Sequence, residues 1–79
     1  MTMNIKEGFM NYVNYLIKKH QHLNAESLAK WYKLTQELKA SKNRGCNLLS
    51  DAYTTAILWI LKSKDDEFNK TFHSYRRIL

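Results

Sequence analysis

The sequence has no proline, two glycines (Gly8 and Gly45) and a single cysteine, Cys46. Each scarcity excludes something. Hairpins and β-rich folds draw on Gly, Pro and Asn-Gly turns, so their shortage points to helices joined by short polar links. One cysteine cannot form a disulfide within the chain, which suits a reducing compartment, and the cytoplasm is the expected location. The longest apolar run, Ala56 to Leu61, is far below the ~20 residues of a membrane span. The opening MTMNIKEGF carries charge where a secretory signal needs an apolar core, and no small-residue cleavage site follows it. Acidic residues are also few, seven against thirteen Lys and Arg, which leaves a net charge of +6.

What is present is an apolar, aromatic-rich chain of 79 residues, 44% hydrophobic and 13% aromatic. That composition is not disordered, and the length is that of one domain, residues 1–79, with a modest core. The basic balance favours an anionic partner: an acidic protein surface, nucleic acid or an anionic membrane. It carries no information about specificity.

A period of 3.6 residues marks four segments, so the expected fold is all-α, a compact bundle of three to four short helices. The first spans about Ile5 to His20, capped by Asn4 with Glu7 three residues on. Its stripe is Ile5, Phe9, Val13 and Leu16, flanked by Tyr12 and Ile17. The second starts at the cap Asn24 and presents Leu28, Trp31, Leu34 and Leu38. Lys39 and Lys42 fall back on that apolar side, so the packed part should end near Leu38 with an exposed turn beyond it. Gly45 then reads as the helix stop.

The third helix begins at Asn47 or Ser50 and runs to Lys62. Leu49, Ala52, Tyr53, Ala56, Ile57 and Ile60 form its face, and Leu48, Leu58, Trp59 and Leu61 widen it nearly all the way round. Such a helix is either central to the domain or part of a homodimer interface. The fourth begins near Ser63 to Asp66 with the acidic turn Asp65 to Glu67, which complements the helix dipole. Phe68, Phe72, Tyr75 and Leu79 line one side of it.

Chemistry-bearing patterns are sparse. The run SLAKWYKLTQELKASKNRG has some of the register of a helix-turn-helix, with Thr35 as the cap of a recognition helix. Lys33 in the turn, Lys39 and Lys42 at packing positions, and the unbroken stripe to Leu38 all oppose that reading. His20, His22, His73 and Cys46 lack the spacing of a zinc site, so no metal and no cofactor is expected. No Ser-His-Asp order and no glycine-rich phosphate loop is present, and the chain reads as a non-enzyme.

Two residue sets remain. Lys39, Lys42, Arg44, Lys70, Arg76 and Arg77 suit phosphates or an acidic partner. Trp31, Tyr32, Leu58, Trp59 and Tyr75 suit a protein interface, since aromatics are enriched at binding hot spots. The expected function is therefore a small regulator or inhibitor that docks an aromatic-basic helical surface onto an acidic protein. The alternatives are a small nucleic-acid-binding protein and a structural homodimer built on the third helix.

Overall fold

The computed structural model describes residues 5–41 and 43–79, with the backbone alone at residues 5 and 6. Four helices follow one another: α1 Ile5–His20, α2 Ala25–Ala40, α3 Arg44–Lys62 and α4 Asp66–Ile78. The all-α bundle expected from the periodicity is the observed fold. The Asn4 cap, the Ile5 side chain and Lys42 lie outside what the structure describes.

Three of the starts are written into short side chains. Asn24 Oδ1 accepts the Ser27 N–H at 2.8 Å, and Asp65 Oδ1 accepts the Phe68 N–H at 2.8 Å. Each satisfies an amide that the first helical turn leaves without a partner. The third start corrects the sequence reading. Asn43 Oδ1 takes the Gly45 N–H at 2.8 Å, so α3 begins at Arg44, several residues before Asn47. Gly45 is a first-turn helical residue; no described glycine has a positive φ. The stop of α2 is Ser41, extended at φ −69 and ψ 143, with its N–H on the Leu38 carbonyl at 3.1 Å. An asparagine placed for capping outweighs a glycine that reads as a terminator.

Packing runs α1–α3–α2–α4: α3 lies between α1 and α2, and α2 between α3 and α4. One buried cluster joins Ala25, Leu28 and Ala29 of α2 to Ile57, Ile60 and Leu61 of α3 and Phe72 of α4. A second joins Val13 and Leu16 of α1 to Ala52 and Ala56 of α3. Ile17 and Trp31 touch both. Alanines at four of these positions let the helix axes approach, and Phe72, Leu28, Ile57 and Ile60 supply the large buried side chains.

The α2 face is rotated from its expected position. Leu34 is 53% exposed, while Thr35 beside it is buried. Because α2 is gripped by α3 on one side and α4 on the other, its buried arc centres on Leu28 and Thr35, away from Leu34. Thr35 tolerates burial because its hydroxyl donates to the Trp31 carbonyl at 2.8 Å. Ser50 Oγ, also buried, donates to the Thr35 carbonyl at 3.1 Å and ties α3 to α2. A buried hydroxyl with a partner avoids the desolvation cost of one without.

The third connection is sharp. Asn69 Nδ2 donates to the Leu61 carbonyl at 3.0 Å and to the Asp65 carbonyl at 2.9 Å, fastening the start of α4 to the end of α3. α4 therefore folds back along α2. Residues 25, 32 and 40 of α2 meet in turn residues near 68, 72 and 79 of α4.

Candidate protein-binding surface

α3 uses its α1 side (Ala52, Ala56) and its α2 side (Ser50, Ile57, Leu61) for packing. The remaining arc faces solvent and is mixed: Arg44, Asn47, Asp51 and Lys62 are exposed on it beside large apolar side chains. Leu48 is 62% exposed, Leu58 57% and Trp59 55%. Lys62 Nζ lies over the Trp59 ring at 5.9 Å, so the patch pairs an indole with a cation. Thr55, Leu58, Trp59 and Lys62 outline a shallow depression of about 280 Å³.

A larger open groove of about 350 Å³ lies between the first halves of α1 and α3. Gly8, Phe9, Tyr12, Gly45, Leu48, Leu49 and Ala52 line it. Both glycines of the chain stand on its walls, where the lack of a side chain leaves room. Leu48 belongs to the groove and also to the exposed arc of α3, so the two features are continuous. At the rim, Tyr12 shares a hydrogen bond with Tyr53; burial first, and that bond second, hold its hydroxyl above the usual tyrosine value. Tyr15 stacks on Tyr12 with centroids 6.2 Å apart and carries Lys19 over its ring at 5.7 Å.

The five aromatic and apolar residues singled out from sequence divide. Leu58 and Trp59 are on the surface. Trp31 is half-buried, stacked under His20 at 4.1 Å and against Tyr53 at 5.2 Å. Tyr32 is half-buried against Phe72, and Tyr75 packs against the larger cluster. These three hold the helices together and offer a partner only an edge. Sequence reasoning missed Gly8, Phe9, Tyr12 and Gly45, because a groove between two helices leaves no trace in either helix's own periodicity.

The basic set also divides. Lys39, Arg44, Arg76 and Arg77 stand at the end of the bundle where α2 and α4 finish and α3 begins. Arg76 lies over Tyr32 at 5.3 Å, and Glu37 shares a depression with Arg76 and Lys33. Lys70 is on the exposed side of α4, nearer its middle. The opposite end carries Lys18, Lys19, Lys62 and Lys64 with the acidic turn of α4.

Among the described residues no group of three or more His, Cys, Asp or Glu could hold a metal ion. The His20 Nδ1 is already bonded to the Leu16 carbonyl at 2.8 Å. Cys46 is half-buried in the first turn of α3. No described helix is long and apolar enough to cross a membrane. Comparison with known proteins gives no match to any family model, curated protein or solved structure.

Proposed function

We propose that the protein is a non-enzymatic binding module, a small regulator or inhibitor that works by protein–protein contact through the outer face of α3. The observation that carries this reading is the exposure of Leu48, Leu58 and Trp59 along one helix that is otherwise the most enclosed of the four. An indole backed by a lysine is the kind of anchor that dominates interfaces, because it offers a large rigid area with a polar rim. The +6 charge favours acidic partners during approach.

The test is cross-linking from a photoreactive group at position 55, in extract of the native cells, with capture of a second copy scored alongside other proteins. The Leu58→Ser/Trp59→Ser variant should keep its helical circular dichroism, since both side chains are mainly in water, and should no longer capture the same set. Identical capture by the two forms would sink the proposal.

A second reading, binding of nucleic acid through phosphate contacts, is supported by Lys39, Arg44, Arg76 and Arg77 standing at one end of the bundle. Its weakness is that Arg76 is engaged with Tyr32 and that Glu37 stands close by.

A further inference from the structure

We infer that the partner meets the outer face of α3 with an acidic amphipathic helix, its carboxylates set against Arg44 and Lys62 and its apolar side chains against Leu48, Leu58 and Trp59. The inference rests on reading that face as a protein-binding surface, and names the charge and shape of what covers it.

Arg44 opens α3 and Lys62 closes it. They are about five helical turns apart, ~27 Å at 1.5 Å per residue, and a period of 3.6 residues returns them to the same side of the helix. Both are exposed, and neither is in an ion pair among the described residues. Leu48, Leu58 and Trp59 stand between them on the same uncovered arc. Along its axis the arc therefore runs from a cation, through apolar anchors, to a cation.

One class of partner answers every group on it. Nucleic acid would meet the two cations, but it would leave Leu48, Leu58 and Trp59 in water and bring phosphates against the exposed carboxylate of Asp51. A lipid surface would take the apolar side chains and bury that carboxylate without a partner, at a high cost. A second copy laid α3 to α3 would set Arg44 against Arg44 or against Lys62, cation on cation in either direction. A protein surface with carboxylates at its two ends, apolar side chains between them and one cation opposite Asp51 is complementary throughout.

The shape follows from the backbone. The secondary structure of the described residues is helical, so this face offers side chains and no sheet edge. A segment laid along it must satisfy its own N–H and C=O groups, and a helix does. Leu48 and Trp59 are about three turns, ~17 Å, apart. A helix alongside them places apolar side chains at i, i+4, i+7 and i+11, and its carboxylates roughly one turn beyond each end. One end of that apolar row faces the groove beside Leu48, and the other faces the depression beside Trp59. Asp51 is nearer to Arg44 than to Lys62, so the cation opposite it sets the direction in which the partner helix runs.

Fluorescence anisotropy with two labelled amphipathic peptides of about six turns tests this on the full chain. Both carry leucine at the spacing above; one has glutamates at its two ends, the other lysines. The glutamate peptide should bind about tenfold more tightly, the scale of two exposed ion pairs, and the difference should shrink as salt screens the charges. Trp59→Ser should weaken it about thirtyfold, the scale of a hot-spot residue. Arg44→Glu/Lys62→Glu should reverse the preference. Should that variant lose its helical circular dichroism, Arg44→Gln/Lys62→Gln should abolish the preference. Equal binding of the two peptides by the wild type, no binding of either, or a preference that survives the loss of both cations overturns the inference. Any of these together with cross-linking from position 55 that depends on Leu58 and Trp59 would mean that the face binds protein of another kind.

Discussion

Leu34 and Phe72 show how far a residue's role departs from its type. Both are large and apolar, and both sit on the apolar side of their own helical wheel. Phe72 is enclosed by α2 and α3 and Leu34 is not. Phe72→Ala should cost about 3–5 kcal/mol in urea unfolding, the cavity scale for a buried aromatic. For a chain of this length the whole folding free energy is roughly 4–12 kcal/mol, so that variant should be near the edge of folding. Leu34→Lys should lie within about 0.5 kcal/mol of wild type, as surface changes do. A destabilisation comparable to that of Phe72→Ala would place Leu34 in a core the structure does not have.

Tyr12 gives a residue-scale prediction on pH. Its hydroxyl is held above the ordinary value of about 10, by burial and then by Tyr53. The folded state therefore holds this proton more tightly than the unfolded state does. The stabilisation is fully present below pH 10 and is lost as pH rises through the folded value. Ultraviolet titration should show one tyrosine ionising late, and Tyr53→Phe should bring it down only in part, because burial is the larger cause.

At the scale of elements, the joints between helices decide the arrangement. Asn43 starts α3 and Asn69 binds α4 to the end of α3. Asn43→Ala should cost about 0.5–2 kcal/mol, the range for loss of an N-cap side chain, measured by thermal unfolding. It should also fray the turn that carries Gly45 and Leu48, and so loosen the groove. Amide exchange at residues 45–48 faster than in the rest of α3 is the expected signature; unchanged exchange would mean that α3 starts independently of its cap. The four helix bodies were legible from the 3.6-residue period because each must bury one stripe. The start of α3 was not, since a glycine two residues after an asparagine reads equally as the end of one helix or the first turn of the next.

On the scale of the whole molecule, the excess of positive charge is divided between the two ends of the bundle instead of gathered on one face. Lys39, Arg44 and Arg77 stand at one end without an ion pair among the described residues; the pair Lys30–Glu26 at 3.7 Å lies within α2. The Lys39→Ala/Arg44→Ala/Arg77→Ala variant should unfold within a few degrees of wild type, because exposed charges contribute little to stability. Any binding of random duplex DNA should weaken, and the slope of log K against log salt should shrink by about 0.9 for each phosphate that the variant no longer neutralises. An unaltered slope would exclude this end as a phosphate surface, and a collapse of the fold would make these residues structural.

The sequence by itself determined the four helix bodies, the Asn24 cap and the surplus of charge, since the helices and the cap follow from neighbours three or four residues apart. Which part of α3 remains uncovered was decided only by the tertiary structure. Leu61 is buried and Leu58 is not because α2 and α1 take up two particular sides of α3, and that choice depends on how alanines, Ser50 and Thr35 let the helix axes approach. The groove between Gly8 and Gly45 arises in the same way, from two helices distant in sequence whose missing side chains coincide in space.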